Sequence, residues 1–141
     1  MPCLPVQQRR RLIRSALQVY RFEAREGIAI EVRVQPFAHR LDVCPVQLCP
    51  FINGAPAEVF CLSLEALYIL GKFLVESSTT VVVAEGDELV YELSRCGSCV
   101  NIKKLTRNST LHIPASITVD LSIVLAREFA RIITLRNLEI D

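Results

Sequence analysis

Cysteine offers this chain its most versatile chemistry, at Cys3, Cys44, Cys49, Cys61, Cys96 and Cys99. Cys44-x4-Cys49 and Cys96-x2-Cys99 form two close pairs, and two close pairs on two turns are what a tetrahedral four-thiolate zinc site uses. Only the second pair has the usual interval. Free cysteine more often serves as a small buried apolar group or a surface thiol. The expectation is therefore no cofactor, with zinc held by Cys44, Cys49, Cys96 and Cys99 as the alternative. A redox role for Cys96 and Cys99 lacks the strand-and-helix setting of thioredoxin-like pairs. His39 and His112 stand in no nucleophile motif, and no glycine-rich loop suits a phosphate. The chain is expected not to be an enzyme. Asn108-Ser109-Thr110 matches a glycosylation acceptor, yet without a secretion signal it reads as a turn.

Positive charge is the second resource. The sixteen Lys and Arg nearly balance the fifteen Asp and Glu, but unevenly: residues 1–40 carry eight bases against three acids, 41–94 one against eight, and 95–141 seven against four. Arg9, Arg10, Arg11 and Arg14 form the densest cluster, either a phosphate-gripping surface or the wet face of a helix. The same cluster would also suit a mitochondrial presequence or a nuclear import address. No apolar run approaches the ~18 residues of a membrane span. The expectation is a soluble intracellular protein of cytoplasm or nucleus, with no membrane partner.

These residues must be held by a fold. At 141 residues and 51% apolar composition, residues 1–141 suffice for a single domain with a real core. Val6, Leu12, Ile13, Ala16, Leu17 and Tyr20 recur at helical spacing, predicting a basic amphipathic helix over Val6 to about Phe22, within residues 1–24. After Gly27 the period becomes two, with Ile28, Ile30, Val32 and Val34 on one face of a strand that Pro36 ends. Pro45 suggests an edge or bulge, and short strands should turn Leu41, Val43, Val46 and Leu48 inward. Ser63 caps a helix with Glu65 in its first turn, buried through Leu64, Leu67, Ile69, Leu70, Phe73 and Leu74 to about Val75. "TTVVVA" and "ELVYEL" follow, Leu89, Tyr91 and Leu93 sharing a face. Val100 and Ile102 point one way in the next strand, and a short "LHI" precedes Pro114. Thr118 caps a last helix with Asp120 in its first turn and too much apolar surface for one sheet to cover. That excess predicts a homodimer.

A shift of 55 residues superposes Ser63 on Thr118, Glu65 on Asp120, Leu70 on Leu125, Gly71 on Ala126 and Lys72 on Arg127, and also Asn53 on Asn108. Self-similarity at a fixed interval signals repeated supersecondary units. The fold class expected is α+β: two tandem strand-rich ββββα-like units, residues 27–76 and 79–138, packed as one domain behind the basic N-terminal helix.

The stretch "LVYELSRCGSCVNIKKLTRNSTLHIPASITVDLSIVLAREFARII", residues 89–133, resembles a PUR repeat, and the tandem order resembles the single-stranded nucleic-acid binders of the PUR, whirly and positive-cofactor-four type. The resemblance implies a curved sheet carrying basic and aromatic side chains along a single strand of DNA or RNA, and no catalysis. Phosphates need a positive groove, and unstacked bases gain ~1–3 kcal/mol each on aromatic platforms. The residues implied are Arg33, Arg40, Arg95, Lys103, Lys104 and Arg107, with Phe37, Phe51 and Tyr91 as stackers and Arg9, Arg10, Arg11 and Arg14 in support. The ordinary alternative is that Lys103 and Lys104 are solvated and Phe51 and Tyr91 are core. The competing function is a protein-interaction or assembly module, regulatory or viral, that oligomerises through its apolar last helix.

Overall fold

A computed structural model describes residues 17–36, 44–76 and 80–140, the side chains of 138–140 excepted. The first sheet contains β1 (Gln18–Glu23), β2 (Ile28–Val34), β3 (Val46–Ile52), β4 (Ala55–Pro56) and β5 (Phe60–Leu62), and is followed by α1 (Leu64–Val75). The second contains β6 (Thr80–Glu85), β7 (Glu88–Cys96), β8 (Cys99–Lys104) and β9 (Ser109–Ile113), and is followed by α2 (Ala115–Ile140). Both sheets are antiparallel meanders. The first runs β1-β2-β3, with β4 and β5 both pairing β3, and the second runs β6-β7-β8-β9. The fold is α+β, and each half is a set of strands closed by a helix.

The expected helix to Phe22 is overturned where it is described, since Gln18–Glu23 forms β1, pairing β2 from Gln18 opposite Val34 to Glu23 opposite Ala29. The six residues alternate: Tyr20 and Phe22 pack against the core, while Val19, Arg21 and Glu23 are exposed. Tyr and Phe suit a half-buried pleated surface, and a waiting edge on β2 outweighs a helical spacing that matched only one residue in three. The earlier part of that expected helix, with Arg9, Arg10, Arg11 and Arg14, lies outside the described residues. Phe37, His39, Arg40, Leu41 and Val43 lie outside them too. The first unit thus begins by Gln18, ahead of the boundary expected at 27. Gly27 (φ 80°) turns β1 into β2 and accepts a hydrogen bond from Asn53 N at 2.7 Å; a Cβ there would collide with the Asn53 carboxamide.

β2 alternates as expected, with Ile30, Val32 and Val34 fully buried. β3 corrects the expectation of short, proline-broken edge strands: it is a seven-residue strand with β2 along one side and β4 and β5 along the other. Pro45 sits just ahead of it, its carbonyl accepting from Gln35 N at 2.8 Å. The Pro50 carbonyl accepts from Ala57 N, on the side where β4 has ended and β5 has not begun. A strand residue's N–H and C=O point the same way, so the N–H that proline lacks falls in this gap and the ladder to β2 loses nothing.

Ser63 Oγ accepts from Ala66 N at 3.1 Å, capping α1 as expected, and Leu67, Leu70, Phe73 and Leu74 are buried. Two other expectations fail. Leu89 does not share the face of Tyr91 and Leu93: Val83 pairs with Tyr91 but Ala84 with Leu89, so Val90 is an extra residue, and this bulge turns Leu89 into solvent. Thr118 does not cap α2. The helix starts at Ala115, with Ile117 N bonded to the Pro114 carbonyl at 3.1 Å, so Thr118 is already inside and Asp120 is past the first turn. Asn53 and Asn108, a pair that the shift of 55 superposes, share a backbone feature. Asn53 (φ 50°) and Asn108 (φ 54°) are the two non-glycine residues at positive φ among those described, each turning out of the third strand of its sheet.

One apolar cluster joins both halves: Ile30, Leu48, Phe60, Leu67 and Leu70 from the first, Leu93, Ile102, Ile113, Leu121 and Leu125 from the second. The helices meet at Gly71. A Cβ built there would stand 3.7 Å from Leu125 Cβ and 3.9 Å from Ala126 N, and Ser122 Oγ donates to the Gly71 carbonyl at 2.9 Å. Because Leu125 is wholly buried and Ile123 is exposed, Leu125→Ala should cost about 2–5 kcal/mol in urea unfolding. Ile123→Ala should stay within about 0.5 kcal/mol in a dilute monomer. Equal losses would overturn this assignment of faces.

Candidate interaction surfaces

The pairing of β7 with β8 sorts the residues implied by the nucleic-acid resemblance. Val100 and Ile102 are buried, so Lys104 points to the same inner side, opposite Tyr91; Arg95 is opposite Val100. Lys103 points outward between Glu92 and Thr110. The alternation noticed at Val100 and Ile102 already contained this result, which continuing the parity by one step would have found.

The inward residues are structural. Tyr91 is 5% exposed, its ring 6.1 Å from that of Phe60 and its hydroxyl donating to the Cys61 carbonyl. Burial, aided by the charges of Glu85 and Glu58, pushes its phenol up to about 12. It is no platform for a base. Lys104 has a side chain only 15% exposed, with Nζ 3.2 Å from Glu58 Oε1, 2.6 Å from the Val59 carbonyl and 4.8 Å above the Phe60 ring. Arg95 lies 5.3 Å above the Phe73 ring and donates to the Phe73 carbonyl in the last turn of α1, where a cation complements the helix dipole. These three leave the expected binding surface because each satisfies a polar or aromatic group between the two halves.

Glu58, missed at the sequence level, organises this junction. It accepts from Ser109 Oγ and from Lys104, with Arg107 Nε at 3.8 Å. The Ser109 hydrogen bond first, then that of Lys104, holds its carboxyl below the usual range. An open cleft of about 440 Å³ lies here, lined by Glu58, Glu85, Tyr91, Lys104 and Arg107 among others. Arg107, 75% exposed, is the outermost of the predicted cations described here.

The outer face of the first sheet holds Arg33, Phe51 and a residue not foreseen, Arg21. The Arg21 guanidinium lies 5.0 Å above the Phe51 ring, and it also pairs with Glu31 at 2.8 Å and Glu23 at 2.9 Å. Arg33 pairs with Glu31 at 3.1 Å. Hydrogen bonds from Arg33 and then Arg21 hold the Glu31 carboxyl below its ordinary value. The face is charged but locally balanced. On the second sheet the outer face is mostly polar, with His112 Nδ1 2.8 Å from Asn101 Oδ1.

The four-thiolate zinc set is overturned by its own members. Cys44 is bonded to Cys61, with Cα atoms 5.5 Å apart, and a thiol consumed in a disulfide ligates no metal. Burial raises the Cys49 thiol further from the thiolate a metal needs. Cys96 and Cys99 are free and face each other across the Gly97-Ser98 turn. Among the described residues no group of three or more Cys, His, Asp and Glu gathers as a metal site. The disulfide closes a separation of 17 residues, a span for which loop closure predicts about 3 kcal/mol of stabilisation.

Helix α2 presents a different surface. Its inner side buries Ile117, Leu121, Val124, Leu125 and Ile132. Glu128 is buried with them, accepting from Arg131 Nε and from the hydroxyl of Tyr20 on β1, and the bond with Tyr20 is the first cause of the raised Tyr20 phenol. Its outer side exposes Val119, Ile123, Ala126, Ala130 and Ile133. Val119 is 58%, Ile123 51% and Ile133 37% exposed. No described helix is long and apolar enough to cross a membrane. Comparison with protein-family models, curated proteins and solved structures finds no match.

Tyr91 supplies a test of the junction. Its phenol is raised from 10.0 to about 12 on folding, so it contributes stability fully present below pH 10. Between pH 10 and 12 only the unfolded chain releases the proton, and that stability is lost. Wild-type unfolding free energy should fall by about 2–3 kcal/mol across this window beyond the fall in Tyr91→Phe. The variant should itself lose about 1–2 kcal/mol at pH 7, because the Cys61 carbonyl loses its donor. Parallel pH profiles for the two proteins would refute the buried, bonded phenol.

Proposed function

We propose that this protein is a non-catalytic assembly module that oligomerises through the outer face of α2. The reading rests on the seam of Val119, Ile123, Ala126, Ala130 and Ile133, which recur at intervals of four, three, four and three. That is the repeat by which one helix receives another. A solvated helix face is ordinarily polar, and a contiguous apolar strip on a folded surface marks an interaction site. The sheets serve as the rigid body behind it. An intracellular setting belongs to this reading, and the Cys44–Cys61 disulfide stands against it, because disulfides persist mainly in oxidising compartments. Light scattering over a concentration series should give a mass above that of one chain. Ile123→Glu with Ile133→Glu should return it to one chain without altering the thermal midpoint by more than a few degrees. A wild-type protein that stays monomeric at ~100 μM, the affinity scale of weak association, would refute the reading.

A second reading is single-stranded nucleic-acid binding in the manner of the PUR, whirly and positive-cofactor-four proteins. It is favoured by the Arg21–Phe51 stack beside Arg33 on the open face of the first sheet, since arginine and aromatic platforms hold unstacked bases. Glu23 and Glu31 offset its charge and rank it second. Labelled single-stranded oligonucleotides should bind at 50 mM salt, at least tenfold less tightly at 200 mM, and more weakly to Phe51→Ala. Absence of binding at low salt excludes it.

A further inference from the structure

We infer that the outer face of α2 is occupied by the same face of a second copy of this chain, antiparallel, in a register that sets Val119 against Ala130 and Ile123 against Ala126. The inference rests on the assembly reading and names its partner and geometry.

From Val119 to Ile133 the seam advances fourteen steps, about 21 Å at 1.5 Å per residue, with bulk at one end and small side chains beyond it: Val119 and Ile123, then Ala126 and Ala130. A parallel pair would stack bulk on bulk and Ala on Ala, leaving voids between the alanines. An antiparallel pair about a two-fold axis perpendicular to both helices puts each large side chain over a small one, so the backbones approach and the contact closes. The outermost member, Ile133, then reaches the exposed Ser116 of the partner helix.

Charge selects the same arrangement. Asp120 and Arg127 are both exposed and seven residues apart, hence one above the other on a single flank of the seam. In an antiparallel two-fold pair, a flank faces its own copy. The register set by the apolar residues brings Asp120 of one helix to within two residues, about 3 Å along the axis, of the point opposite Arg127 of the other. Two identical Asp–Arg contacts result, one at each end of the two-fold. A parallel pair would turn this flank toward the opposite flank of its partner and make neither contact. Size and charge are independent features of the sequence, and both choose the antiparallel orientation.

The test is a charge exchange in the full chain. Asp120→Arg alone sets Arg against Arg at both contacts, and Arg127→Asp alone sets Asp against Asp. Each variant should dimerise at least tenfold more weakly than wild type in sedimentation at low salt. Mixed in equal amounts, the two should form a heterodimer of near wild-type affinity, because both contacts become opposite in sign. If either variant melts differently from wild type, Asp120→Lys and Arg127→Glu repeat the exchange. Association that survives in wild type but gains nothing from mixing overturns the antiparallel register and leaves the assembly reading standing. A wild type that is monomeric throughout overturns both.

Discussion

The crossing of α1 and α2 at Gly71 is the contact on which both halves of the molecule depend. Each sheet has one apolar face and one helix, too little to close a core alone. The shared interior exists because the two helices approach closely enough for Leu67 and Leu70 to join Leu121 and Leu125 in one cluster. That approach needs a small residue at position 71, where even a Cβ would already touch Leu125 and Ala126, and the Ser122 hydroxyl satisfies the Gly71 carbonyl. A side chain reaching well beyond Cβ at position 71 would press on Leu125 and Ala126 at the crossing.

Polar residues reinforce the same junction, which explains why Lys104, Arg95 and Tyr91 are withdrawn from the outer surface. Lys104 spends its charge on Glu58 and the Val59 carbonyl, and Arg95 on the end of α1. Tyr91 spends its hydroxyl on Cys61. Across the interior, Tyr20 and Glu128 tie the first strand to the last helix. A buried charge without a partner is costly, so each of these cations must be read with its acceptor before it is assigned to a ligand. Along the outside of α2, by contrast, Val119, Ile123 and Ile133 are left exposed.

Much of the scaffold was legible from local pattern. Ser63 followed by an apolar helical stripe predicted α1 and its cap, and the strict alternation from Ile28 to Val34 predicted β2. The Asn53 and Asn108 turns were also visible, because only a few residue types tolerate positive φ. What escaped prediction depended on a partner distant in sequence. Gln18–Glu23 became a strand only because β2 offered an edge. Leu89 reversed its face because Val90 bulges against β6. Cys44 chose Cys61 over Cys49 because adjacent strands brought their Cα atoms to 5.5 Å.

The sequence alone determined the class of the molecule and the polarity of most of its surfaces, since periodicity, caps and turns act within a few residues through backbone sterics and local hydrogen bonds. It also determined the four-three repeat of apolar residues along α2. Tertiary structure alone decided which side of that repeat was already covered, placing Leu121, Leu125 and Ile132 against the sheets and leaving Val119, Ile123 and Ile133 outside. Burial is a property of the whole packed chain. Only the packed chain could tell the helix face that makes the core from the face left in solvent.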